Sequence, residues 1–424
     1  MKKALSTLTL ALASLAAKAV SRFPRPDFES GYQYPEYSYA VPNEKLWDFL
    51  DVAMLLILLG IVTWAVYRKR TRGPILWTSV VSVAYFGFFR GGCVCSIGAI
   101  QNIALAFVDN NYQLPLAVFL FFMIPIVFAF LFGRVFCAGV CPFGALQDLV
   151  NVKNFRLNKA VAGALSVIPW IYLAFALLYA LTRTRFLICQ FDPFIGIFRL
   201  GGDIGILTFG IVLLVMSVFT GRPFCRFLCP YDALLSIFSA VSLFKVEITK
   251  KACINCELCH QSCPVDAIDA PYGNKVQESS RTGVRRVLAY FLLIPLMMAV
   301  GGLLMRQVSP DLARGNKEVR LYAQVMHYEA HPDEEQTPDV EGFYSQGRTL
   351  EELTASKDAV LQDFRLWSTL AGLLIGLVVG VKLVRLSLKR GRKQYEIAPA
   401  RCVACGKCFS YCPQNSVKAT AKKV

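Results

Sequence analysis

Eight of the fifteen cysteines in this 424-residue chain fall into two copies of one pattern. Cys253, Cys256, Cys259 and Cys263 are followed by Pro264, and Cys402, Cys405, Cys408 and Cys412 by Pro413. In a Cys-x-x-Cys-x-x-Cys-x-x-x-Cys-Pro run, three thiolates on a tight loop wrap one face of a [4Fe–4S] cube. The fourth, before the proline, reaches across to a second cube. The two copies therefore predict one cluster on Cys253, Cys256, Cys259 and Cys412, and a second on Cys402, Cys405, Cys408 and Cys263. Small residues inside the second loop, Ala404 and Gly406, leave room for backbone amides to approach sulfur. Two structural zinc knuckles are the alternative, but paired runs ending in Cys-Pro are far more specific than Cys-x-x-Cys alone.

Four more cysteines form a second repeated pattern. Gly133-Arg134-Val135-Phe136-Cys137 leads to Cys141-Pro142-Phe143, and Gly221-Arg222-Pro223-Phe224-Cys225 to Cys229-Pro230-Tyr231. Four thiolates from two related loops, Cys137, Cys141, Cys225 and Cys229, suit a further iron–sulfur centre in preference to zinc. Free thiols at a packing seam are the bland alternative. Cys93, Cys95 and Cys189 remain, and either a disulfide or an outer cluster accounts for them. Cys256-x-x-Cys259-His260 has the form of a haem attachment site, but both cysteines are already needed by the cluster loop. The other histidines, His327 and His331, lie outside every apolar stretch, so no haem is expected. Their spacing could hold a metal, but a solvated helix face is the better reading. Ser279-Ser280-Arg281-Thr282-Gly283 is only loosely like a flavin-attachment motif and is discounted.

These residues have to be positioned by membrane helices. Hydrophobic residues make up 55% of the chain and charged ones 17%, and the mean hydropathy is +0.47, too apolar for a soluble protein of this length. An odd number of clustered cysteines fits a secreted disulfide framework poorly. The formal charge of +16 reads as the basic cytoplasmic bias of a membrane protein, and no nucleic-acid partner is expected. Residues 1–19 read as a signal peptide or signal anchor, and 20–48 as an extracytoplasmic segment. Apolar stretches at 49–67, 75–89, 114–132, 161–181, 204–220, 287–305 and 366–384 predict about seven transmembrane helices.

Arg68, Lys69, Arg70 and Arg72 after the first stretch mark the inside, as do Lys389, Arg390, Arg392 and Lys393 after the last. Segment 311–363 falls outside with 12 acidic against 5 basic residues. Arg183 and Arg185 land outside against the rule. The N-terminus is thus expected outside and the C-terminus inside a cytoplasmic membrane. The fold class follows as an all-α polytopic membrane protein with an internal pseudo-repeat and a split, small α+β two-cluster domain. The divisions are a first transmembrane helix within 49–74, membrane repeats at 75–160 and 161–248, cluster-domain halves at 249–284 and 389–424, transmembrane helices within 285–306 and 365–388, and an acidic extracytoplasmic segment at 307–364. The 138 residues between Cys263 and Cys402 include two spans, which return both halves to one face.

Paired Cys-x-x-x-Cys-Pro motifs on membrane helices, followed by the ferredoxin-type run, resemble the NapH/NosR family of membrane polyferredoxins over about 75–268 plus the terminal ferredoxin half. The resemblance implies a membrane core that moves electrons between a quinol or cytoplasmic donor and an extracytoplasmic flavin or metalloprotein partner. It implies that Cys137, Cys141, Cys225 and Cys229 are the family's membrane-motif cysteines. The chain lacks the large N-terminal flavin-binding domain of longer members, and inserts two helices and an acidic segment between the ferredoxin halves. The expected function is membrane electron transfer; the alternative is a membrane ferredoxin that matures or reductively activates a partner metalloenzyme. No general acid–base pair or nucleophile stands out, so an electron-transfer subunit is expected in place of a stand-alone catalyst.

Overall fold

The computed structural model describes residues 45–92, 95–152, 154–249, 252–271, 280–333, 336–387, 394–414 and 417–421. The signal-like start, Cys93 and the basic run at 389–393 lie outside the described residues. Four described helices are long and apolar enough to cross a membrane: Leu46–Lys69, Ala160–Leu181, Leu288–Ala313 and Leu350–Arg385. Four shorter apolar helices, Gly73–Phe89, Ser96–Val108, Leu116–Phe132 and Ile204–Phe219, accompany them. Three of these shorter helices coincide with predicted spans. At 1.5 Å per residue, the 17 residues of Leu116–Phe132 rise about 26 Å, slightly less than the roughly 30 Å hydrocarbon layer.

Ser96–Val108 was not read as an element from the sequence, because Gln101 and Asn102 interrupt its apolar run. Folding gives both side chains partners. Gln101 is fully buried and its Oε1 accepts from the Ile188 amide at 2.8 Å, while Asn102 Oδ1 accepts from the Tyr112 hydroxyl at 2.6 Å. Gly73–Ser82 passes directly into a π-helical turn, Val83–Phe89.

The motif cysteines stand at breaks between short helices. The Gly133-Arg134 turn ends Leu116–Phe132, a five-residue helix Val135–Gly139 carries Cys137, and Cys141 caps Pro142–Leu149 with the proline at its first turn. The second copy follows the same succession: Ile204–Phe219, Pro223–Phe227 with Cys225, and Cys229 before Pro230–Ala240. Proline suits a first helical turn because that amide has no intrahelical acceptor. Each break thus follows from its own sequence.

Two small antiparallel sheets join distant parts of the chain. Strand β1, Phe244–Ile248, pairs with a strand near the C-terminus, Val417–Ala421, in the register Phe244↔Ala421 to Ile248↔Val417. The two-residue strands Ile268–Asp269 and Glu396–Ile397 pair likewise. Arg401 reinforces the join, donating to the Asp266 carbonyl at 2.8 Å and to Asp269 Oδ1 at 2.6 Å. The two ferredoxin halves therefore form one unit.

That unit is seated against the membrane helices. The backbone at Gly221 approaches so closely that an added Cβ would lie 2.2 Å from the Pro264 carbonyl oxygen. Arg226 pairs with Asp266 at 2.8 Å. Between the ferredoxin halves, Ser280–Ala313 and Leu350–Ser387 run against each other along small residues. A Cβ on Gly372 would stand 2.2 Å from the Gly301 carbonyl, the close backbone approach typical of membrane helix pairs. Both helices extend into the acidic segment, where Lys317–Ala330 and Pro338–Ser345 close a satellite core of Val325, Val340, Phe343 and Leu353.

Candidate metal centres

The ferredoxin unit brings its eight cysteines into two groups. The Cys259 thiol, buried on its short helix Leu258–Ser262, has Cys253, Cys412 and Cys256 as electrostatic neighbours. Cys402 and Cys408 each have Cys263 and Cys405 as neighbours. The grouping crosses between the two halves, with Cys412 beside Cys259 and Cys263 beside Cys402 and Cys408.

Cys263, Cys402, Cys405 and Cys408 line one cavity. Its other walls include Val246, Pro264, Ile268, Ile397, Val403 and Phe409. Backbone amides point at sulfur from both halves: Ala267 N–H donates to Cys263 Sγ at 3.3 Å and Ala404 N–H to Cys402 Sγ at 3.5 Å. Ala404 and Gly406 adopt left-handed backbone, with φ of 51° and 74°, which tightens the loop around the cavity. Burial pushes the Cys259 thiol up to about 11 and Cys402 up to about 12. Thiols held neutral in this way become anionic when a metal takes the place of the proton. Four convergent thiols, amide donors to sulfur and a wall that is apolar apart from Lys407 fit a thiolate-ligated iron–sulfur cluster.

The membrane quartet is also assembled. Cys137, Cys141, Cys225 and Cys229 are all buried. Cys225 has Cys141 as an electrostatic neighbour, Cys229 has both of these, and Cys137 has Cys225. The two copies interlock: a Cβ added to Gly144 of the first would lie 3.5 Å from Cys225 Sγ of the second. Gln147, also in the first copy, donates to that sulfur at 3.5 Å, while its Oε1 accepts from the Phe224 amide at 3.0 Å. Phe143 packs against Phe194 and Phe224, and Phe136 against Tyr231, which gives the quartet aromatic neighbours. Among the described residues, no three His, Cys, Asp or Glu side chains are placed to hold a single metal ion.

Four charged residues beside the quartet escaped the sequence reading. Arg134 is 4% exposed and Arg222 0%. Each pairs with an aspartate of the other copy, Arg134 with Asp232 and Arg222 with Asp148 at 3.3 Å. The available signal was an arginine after each repeated glycine, at the end of an apolar stretch where an ionised group calls for a partner.

Of the outer cysteines, Cys95 lines a second cavity together with Cys141, Phe121 and Phe143. Ser96 Oγ, buried there, has no hydrogen-bond partner. Cys189 is exposed and its sulfur lies against Gly98. His260 packs against Tyr395 with ring centres 5.4 Å apart and the rings tilted by 44°. His327 and His331 stack on each other at 4.8 Å.

Segments 114–159 and 203–249, which hold the two membrane motifs, match one 4Fe-4S binding domain model, and 246–269 matches another. An uncharacterized protein of Methanocaldococcus jannaschii is 30% identical over 190 residues, which is 43% of this chain and 77% of the relative. The regulatory protein NosR of Stutzerimonas stutzeri is 26% identical over 289 residues, 57% of this chain and 39% of its own length. The putative electron transport protein YccM of Escherichia coli is 29% identical over 192 residues, 40% and 52% of the two chains. The chain thus spans about half or less of these two named relatives. No solved structure matches. The 4Fe-4S domain matches and the apolar helices define an iron–sulfur membrane protein. The chain belongs to the NapH/NosR-type membrane polyferredoxin family.

Proposed function

We propose that the protein conducts single electrons through the membrane, between a cytoplasmic or quinol donor and an extracytoplasmic flavin or metalloprotein. In this reading, Cys253, Cys256, Cys259 and Cys412 hold one [4Fe–4S] cluster and Cys263, Cys402, Cys405 and Cys408 a second. Cys137, Cys141, Cys225 and Cys229 hold a further iron–sulfur centre, with Cys95 beside it on a cavity shared with Cys141. Iron–sulfur clusters supply reversible one-electron chemistry, and ligand charge, hydrogen bonds and solvent exposure set their potentials. The chain's part is to expose the first thiol set, bury the second against the membrane helices, and keep the quartet buried beside the Arg134–Asp232 and Arg222–Asp148 pairs.

The observation that carries this reading is the cavity walled by four thiols drawn from both halves of the chain. Support for the membrane part comes from the seven apolar stretches, whose basic flanks put the ferredoxin unit inside. Iron and acid-labile sulfide in anaerobically purified protein test it. About eight iron atoms, from two four-iron clusters, plus those of the membrane centre are expected; colourless protein holding zinc without sulfide would overturn it. A reporter fused after Val424 and found exported would overturn the orientation. The word "regulatory" in one relative's name favours the second reading, reductive activation of a partner. Reoxidation by an outer partner at turnover rates separates a conduit from an activator, which needs only a few electrons.

A further inference from the structure

We propose that Arg222 is a positioning residue whose charge sets the reduction potentials of the membrane quartet and the second ferredoxin thiol set together. This inference rests on the electron-conduit reading and assigns a role to a residue outside the cluster ligands. Arg222 lies at the seam of the two thiol sets. On the membrane side, a Cβ at Gly144 would be 3.8 Å from Arg222 Nη1 and 3.5 Å from Cys225 Sγ, so guanidinium and thiol meet at one backbone position. Arg222 also donates to the Cys137 carbonyl and, at 2.8 Å, to the Ala138 carbonyl. On the ferredoxin side, it shares Asp148 with Lys407 (3.3 and 3.6 Å), which lies between Cys405 and Cys408 in the second loop. The residue before Arg222 is Gly221, pressed on the carbonyl of Pro264, next to Cys263.

The charge at this seam does not cancel. Asp148 receives Arg222, Lys407 and also Arg72 at 3.2 Å, so three cations meet one carboxylate and leave two positive charges over. Arg134 differs, because it has Asp232 as its own partner. Arg222 is fully buried and Asp148 nearly so, and in such surroundings charge is weakly screened. A surplus of buried positive charge is costly unless negative charge stands nearby. Thiolates on both sides of Arg222 would supply it, and the surplus in turn favours the reduced, more negative form of any centre they hold. At the matching place the first loop carries the apolar Leu258 where the second carries Lys407.

The test is an EPR-monitored redox titration of full-length protein in detergent, comparing wild type with Arg222→Gln, Arg222→Lys, Lys407→Gln and Arg72→Gln. Arg222→Gln should lower the midpoints of the second ferredoxin centre and the membrane centre by about 59 mV, a tenfold shift in a one-electron equilibrium. The first ferredoxin centre should not move, and Arg222→Lys should recover most of the loss. Lys407→Gln and Arg72→Gln remove surplus charge without touching the Cys137 and Ala138 contacts, and should lower the same two midpoints less. Should Arg222→Gln lose its clusters, these two variants decide the matter. Unmoved midpoints in both, with clusters present, overturn the inference and leave the conduit reading intact. Wild-type protein without iron or sulfide overturns both. Alkylation of Cys225 in chelator-stripped Arg222→Gln and wild type reports separately whether the seam stays closed; exposure in Arg222→Gln with unmoved midpoints in Lys407→Gln and Arg72→Gln assigns Arg222 a packing role only.

Discussion

The two ferredoxin loops have the same cysteine spacing and opposite surroundings. In the first, Ile254 is 60% exposed, Leu258 is 43% exposed, and Cys256 is open to solvent. In the second, Val403, Ala404, Cys405 and Lys407 are all between 3% and 8% exposed. Glu257 accepts from Tyr395 at 2.9 Å on its own unit, whereas Lys407 reaches out to Asn151 at 2.8 Å and to Asp148 on the membrane helices. Spacing determines what a loop can bind, while the residues between the cysteines determine what it faces. The difference suggests a division of labour: the first loop meets soluble partners, and the second meets the membrane core.

Breaking one thiol in each loop gives the largest expected effects and separates these roles. Cys405→Ser should remove one cluster's EPR signal and abolish reduction of the membrane centre by a cytoplasmic donor. Cys256→Ser should also remove one signal, yet small soluble reductants should still reduce the membrane centre through the remaining set. If a small reductant fails equally in both variants, the order of the two sets is wrong. Alkylation of chelator-stripped protein offers an independent view. Cys256 should be labelled well ahead of Cys405, as detected by peptide mass spectrometry, because only the former is solvent-exposed.

The next effect is on stability. Asp148→Asn strands three cations at a buried seam, and breaking a buried pair from one side typically costs about 3–5 kcal/mol. Asp269→Asn, whose partner Arg401 is about half exposed, should cost no more than ~1 kcal/mol. Thermal unfolding in detergent should therefore drop sharply for the first variant and hardly at all for the second. Equal drops would mean that the ferredoxin unit is not anchored through the Lys407 side.

Much of this arrangement is legible in the sequence, and the limits have physical causes. Local structure is readable because spacing encodes it: the short loops that carry the cysteines and the Cys-Pro helix starts follow from a few adjacent residues. The contrast between loops was also on view, in Ile254, Asn255 and Glu257 against Val403, Ala404 and Gly406, but a motif reading weighs only the cysteines. The pairings Arg134–Asp232 and Arg222–Asp148 join residues 98 and 74 positions apart, and no periodicity reports a contact at that range. Ser96–Val108 was missed because buried amides resemble loop residues until their partners, Ile188 and Tyr112, are brought to them.

The smallest effect sharpens the comparison most. Ile254 is an exposed apolar side chain next to Cys253 of the first thiol set. If that position receives a soluble protein donor, Ile254→Lys should slow reduction a few-fold and make it salt-dependent, since a rim charge acts mainly on the association rate. Neither the midpoint of the first centre nor its iron content should change, because the side chain points to solvent and binds nothing within the unit. Val403→Lys makes the same change at the matching place in the second loop, where it buries an unpaired ammonium and should prevent the unit from assembling. One substitution at two matching positions thus yields a kinetic defect in one loop and a folding defect in the other. Stopped-flow reduction at two ionic strengths decides it: an unaltered rate and salt response in Ile254→Lys would move the donor site off the first loop, and with it the reason for keeping that loop exposed.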